Sequence, residues 1–112
     1  MESNPTNELN AGGKAGEKIS LEDAIAWTTS YQKRNSDQPQ SVFFSAEVFR
    51  ELLGQSGATG VRIYNAINDD GQSCFVLVGA THERDLVDES SVIYDKGKVC
   101  PPYCIVSSLS SQ

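Results

Sequence analysis

Val61-Arg62-Ile63-Tyr64-Asn65-Ala66-Ile67, followed by Asn68-Asp69-Asp70-Gly71-Gln72 and then Ser73-Cys74-Phe75-Val76-Leu77-Val78-Gly79, decides the fold. Two runs rich in β-branched and aromatic residues flank Asp70-Gly71, the signature of a hairpin turn. A two-residue turn sets Ile67 opposite Cys74, Ile63 opposite Val78 and Tyr64 opposite Leu77. One face then carries Val61, Ile63, Ile67, Cys74, Val76 and Val78. The other carries Tyr64, Ala66, Phe75 and Leu77. A sheet with one wet side alternates apolar with polar residues. Here both faces are apolar, so helices or a second subunit must cover both. A three-residue loop shifts the pairing and leaves that conclusion standing.

Helices are predicted upstream of the hairpin. Ser20 with Asp23 resembles a capping box, and Glu22 and Asp23 suit the positive end of a helix dipole. Leu21, Ala24, Ile25, Thr28 and Tyr31 follow with helical spacing, and Lys33 and Arg34 suit the far end. Ser41 to Phe44 reads as a short strand. Ser45 is a good N-cap for a second helix, whose apolar stripe is Val48, Phe49, Leu52 and Leu53. Downstream, Thr81 to Ser90 reads as a polar loop, and Val92-Ile93-Tyr94 as a third hairpin-linked strand that Gly97 interrupts. The expected fold class is α+β, with two helices packed on a small, mainly antiparallel sheet of three to four strands. The expected organisation is a disordered arm over residues 1–18, a single α+β domain over 19–106 and a polar tail over 107–112.

Composition narrows the function. The chain has 112 residues with 9 basic and 15 acidic side chains, a net charge of −6. Phosphate-backbone binding needs a positive footprint, so no nucleic acid is expected as a partner. The same balance argues against an anionic membrane surface, and no apolar run reaches the roughly 18 residues of a bilayer span. The first 20 residues hold no apolar h-region. A cytoplasmic location is therefore expected, and there the three cysteines are expected to be free thiols.

Cys100-Pro101-Pro102-Tyr103-Cys104 is the one segment that looks like a site. With trans bonds its prolines impose polyproline II, and four steps at about 3.1 Å separate the two Cα atoms by roughly 12 Å. A disulfide needs about 4.4–6.8 Å. The segment is therefore read as a stiff strap bearing two ordinary thiols; a cis Pro102 would fold it back. Cys74, His82, Cys100 and Cys104 together form a known zinc donor set, although no close Cys-x-x-Cys pair is present. Cys74 reads more simply as a small hydrophobe in a core strand. His82 reads as a solvated loop histidine, with Glu83 and Asp85 nearby as possible orienting carboxylates. Asp85, Asp88 and Glu89 read as a solvated acidic loop. No catalytic residue, cofactor or small-molecule ligand is assigned.

Phe43-Phe44, Val61-Arg62-Ile63-Tyr64, Val76-Leu77-Val78-Gly79 and Cys100-Pro101-Pro102-x-Cys104 occur in that order. Over roughly residues 20–104 this resembles a group of small uncharacterised bacterial proteins with an "IRIY…LVLVG…CPPxC" layout. That resemblance implies no activity. It implies that the Cys-Pro-Pro segment belongs to the domain. The expected function is a non-enzymatic structural or interaction protein, self-associating through its sheet as a homo-oligomer. The alternative is a thiol or metal-binding module built on Cys74, Cys100 and Cys104, with His82.

Overall fold

The computed structural model describes residues 14–88 and 91–110. The N-terminal arm predicted over residues 1–18 lies outside the described residues up to position 13, and residues 14–18 carry no regular structure. Helix α1 spans Leu21–Arg34. The Ser20 hydroxyl accepts from the Asp23 backbone N–H at 3.0 Å, which satisfies one orphan donor of the first turn. At its other end the Asn35 N–H donates to the Tyr31 carbonyl at 2.8 Å. None of its residues is fully buried. Strand β1 (Ser41–Phe43) leads into helix α2 (Ala46–Leu53), whose Leu52 is fully buried.

The hairpin is formed by β2 (Gly60–Ile67) and β3 (Ser73–Ala80), and β4 (Ile93–Tyr94) continues that sheet in the order β2-β3-β4. Strand β5 (Lys98–Cys100) pairs antiparallel with β1 in a separate two-stranded sheet. The α+β class with two helices and antiparallel strands is as expected from the sequence. The strands, however, divide between two sheets, and β5 falls where no strand was predicted. Gly97 explains how β5 fits. A Cβ there would stand 2.6 Å from Val42 Cγ2 and 2.7 Å from Phe44 Cε2, so the missing side chain is the space those two residues occupy.

The hairpin register differs by one residue from the two-residue-turn reading. Tyr64 pairs with Val76, Ile63 with Leu77 and Ala66 with Cys74. The cause is the loop. The Asn68 N–H donates to the Gln72 carbonyl at 2.9 Å, closing a three-residue loop of Asp69, Asp70 and Gly71. The Asn68 side-chain oxygen accepts from the backbone N–H groups of Asp70 and Gln72, and Gly71 takes a positive φ of 79°. Moving one strand by one residue exchanges its faces. Val61, Ile63, Ile67, Phe75, Leu77 and Gly79 therefore share one face. Tyr64, Ala66, Cys74, Val76, Val78 and Ala80 share the other. Both faces remain apolar.

Helix α2 covers the first face at its Gly79 end. A Cβ on Gly79 would lie 2.8 Å from the Leu52 carbonyl oxygen and 2.5 Å from Gln55 Nε2. Gln55 donates to the Leu52 carbonyl at 3.1 Å and accepts from the Val92 N–H at 3.3 Å, tying helix to loop. Tyr94 donates its hydroxyl proton to Glu51, tying the helix to β4. The buried apolar side chains among the described residues are Leu52, Leu77, Val78, Ala80 and Cys100. No described helix is long and apolar enough to cross a membrane.

Candidate functional site

Cys100 closes β5 and is 1% exposed, whereas Cys104 is half-buried. The two are joined by a disulfide, with Cα atoms 4.7 Å apart. This corrects the expectation of two free thiols held about 12 Å apart by an extended strap. The Cys100-Pro101 and Pro101-Pro102 peptides are both cis. A cis step advances Cα by only about 2.9 Å and reverses the chain, so the segment is a turn. The Tyr103 N–H donates to the Val99 carbonyl at 3.0 Å across it. The Gln40 N–H donates to the Cys100 carbonyl at 2.7 Å, which extends the β1–β5 pairing to the bridge. Lys98 Nζ sits 4.7 Å from the centre of the exposed Tyr103 ring.

Beside this turn lies an open groove of about 490 Å³, walled by Cys74, Phe75, Val99, Pro101, Pro102 and Tyr103 among others. Cys74 is a free, half-buried cysteine. His82 lies beyond the opposite end of β3, and six strand steps of about 3.3 Å put Ala80 roughly 20 Å from Cys74. The four residues that could have made up a zinc donor set, Cys74, His82, Cys100 and Cys104, are thus not brought together. Two are consumed by the bridge. Among the described residues no group of three His, Cys, Asp or Glu side chains is placed to hold an ion.

The loop after β3 holds an arrangement that the sequence reading did not contain. The sequence predicts Asp85 in a solvated acidic loop; instead its side chain is 17% exposed and turned onto the sheet. Arg62 Nη1 donates to one carboxylate oxygen and the Tyr64 hydroxyl to the other. Arg62 Nη2 also donates to the carbonyls of Thr81, at 2.9 Å, and His82, at 3.3 Å. The hydrogen bond from Tyr64, then the Arg62 guanidinium, holds the Asp85 carboxyl below the usual carboxylate range. The same bond to Asp85 pushes the Tyr64 phenol up. Only half of this arrangement had a signal in the sequence. Arg62 and Tyr64 are two apart on a strand and share a face, and a chain returning after Ala80 brings Asp85 back beside it. The isolated Ala80–Asp85 bridge is that return. This cluster fastens a loop to a sheet. Both oxygens of its carboxylate accept hydrogen bonds, one from Arg62 and the other from Tyr64.

The other outcome of the hairpin is an open edge. Strand β2 pairs with β3 on one side, and no described strand pairs with the other. In an antiparallel ladder, backbone groups point alternately toward and away from the partner. The Asn68–Gln72 hydrogen bond fixes the even-numbered residues of β2 as facing β3. The N–H and C=O groups of Val61, Ile63, Asn65 and Ile67 consequently face outward. Ile63 is 56% and Ile67 74% exposed along that edge. No protein-family model, curated protein or solved structure matches the chain.

Proposed function

We propose that this chain is a non-enzymatic interaction module that self-associates by joining the β2 edge of one copy to the β2 edge of another. The observation that carries this reading is the eight-residue open edge with exposed Ile63 and Ile67. A long apolar edge with unpaired N–H and C=O groups is a template for strand addition. A second copy suits it. A two-fold axis through Tyr64 sets Val61 opposite Ile67 of the partner subunit, and Ile63 opposite Asn65 of the partner subunit. Arg62 falls opposite Ala66 of the partner subunit, so no like charges meet. Arg62 is also neutralised by Asp85 in its own chain. The first 13 residues offer a poorer strand: they contain Pro5, three Asn and two adjacent Gly, with no alternating apolar pattern. A cytoplasmic homo-oligomer is the setting of this reading.

Sedimentation of the full chain over a wide concentration range tests it, with Asn65→Pro beside the wild type. The Asn65 N–H faces outward, so proline removes a donor to the partner and none to β3. The expected result is a dimer for the wild type and a monomer with unchanged circular dichroism for Asn65→Pro. A wild type that stays monomeric at high micromolar concentration overturns the reading. A dimer that survives both Asn65→Pro and Ile63→Lys moves the contact off this edge and overturns it as well.

A further inference from the structure

We propose that the Cys100–Cys104 bridge is a thiol–disulfide exchange site, entered at Cys104 Sγ, whose substrate is a protein dithiol of the Cys-x-x-Cys kind. This is independent of the self-association reading. The bridge makes a poor structural staple. It closes a loop of only five residues, and the stabilisation from restricting an unfolded chain shrinks with loop size. The geometry it spans is already held by hydrogen bonds: Tyr103 N–H to Val99, Gln40 N–H to Cys100, and the β1–β5 ladder. The turn therefore persists without the covalent bond.

Its two cysteines differ in exposure. Cys100 is 1% exposed at the end of a paired strand, whereas Cys104 is half-buried on the far side of the turn. An attacking thiolate must approach a disulfide sulfur directly, so access selects Cys104. Exposed Pro101, Pro102 and Tyr103, which precede Cys104 in the turn and wall the adjoining groove, form an apolar platform on which the reductant's own loop can rest. In the first step the reductant's thiolate attacks Cys104 Sγ. The Cys100–Cys104 bond breaks as the mixed disulfide forms, and Cys100 leaves as a thiolate that takes a proton. The reductant's second thiolate then attacks its own sulfur of the mixed disulfide, and Cys104 leaves and is protonated. Two electrons and two protons pass from the dithiol to the bridge. The dithiol ends as a disulfide. The released Cys100 thiol stays buried, where a cysteine behaves as a small hydrophobe.

The test uses the full chain carrying Cys74→Ser, so that the bridge supplies the only cysteines. It is mixed with a thioredoxin-type dithiol protein whose resolving cysteine is serine, which stalls the reaction at the mixed disulfide. Peptide mass mapping is expected to place the adduct on Cys104, with Cys100 open to alkylation after denaturation. Separately, dithiothreitol in native buffer is expected to raise the thiol count from zero to two with unchanged circular dichroism. An adduct on Cys100, no adduct, a bridge that reduces only in denaturant, or loss of the fold on reduction would each overturn the proposal.

Discussion

Asp85 accepts from Tyr64 and Arg62, two residues apart on β2, and so converts a loop of charged residues into a fastened one. Its carboxyl is held low in the folded chain, first by the Tyr64 hydrogen bond and then by Arg62. A depressed folded pKa contributes stability that is fully present above the unfolded value. That stability is lost as pH falls through the folded one. Stability is therefore expected to drop as pH falls below about 4, the ordinary aspartate range. Asp85→Asn is expected to lower stability at neutral pH and to flatten that acid limb, read by urea unfolding at a series of pH values. An unchanged acid limb in Asp85→Asn would show that other carboxylates set it. Tyr64 and Tyr94, both raised by bonds to carboxylates, act at the other end. Their contribution is complete below about 10 and is lost as pH rises through the folded values. Little of this could be read in the sequence, because Asp85 meets β2 only through the chain reversal after Ala80. Charge counting sees a polar loop there and cannot see the return.

Single elements were legible where their signals are local. The Ser20–Asp23 cap, the acidic first turn and the basic last turn of α1 all depend on neighbours within four residues, and the structure has all three. The hairpin was legible as a hairpin. Its register was not, because Asn68 recruits Gln72 and lengthens the loop beyond the Asp70-Gly71 pair. Strand β5 was hidden by its length of three residues and by the prolines that follow, whose cis peptides no spacing rule reveals. The packing of α2 on the sheet was visible as a stripe, but its closeness depends on Gly79. That closeness makes a prediction at this scale. Gly79→Ala puts a methyl group where the Leu52 carbonyl and the Gln55 amide already stand, at 2.8 and 2.5 Å. Backbone cannot yield as a flexible side chain can, so α2 must shift away from β3. The expected cost is about 1–3 kcal/mol, the usual range for overpacking, read as a lower urea midpoint at unchanged slope. A variant as stable as the wild type would mean that the helix seat is loose.

At the scale of the whole molecule, the buried apolar set among the described residues is small, and much apolar surface stays outside. Phe43 is 66% exposed and Trp27 59%, in addition to the exposed Ile63 and Ile67 of β2. The sequence announced this imbalance through a hairpin apolar on both faces. It could not say which edge stays open, since that follows from β4 pairing with β3 rather than with β2. A fold with a thin core is marginal, and anything that binds only its folded form raises its stability by mass action. If the β2 edges join, unfolding consumes one dimer and yields two chains, so dilution favours the unfolded state. Each tenfold rise in protein concentration is then worth about 1.4 kcal/mol per dimer, or about 3–5 °C in Tm for a domain of this size. The net charge of −6 opposes association, and salt screens that repulsion, so the dimer and its Tm are expected to strengthen with added salt. Asn65→Pro is expected to melt at one temperature across all concentrations, below the concentrated wild type and close to the dilute one. Calorimetry at several concentrations of both chains reads this directly. A wild-type Tm that does not move with concentration means that the apolar edge adds nothing to the stability of the fold.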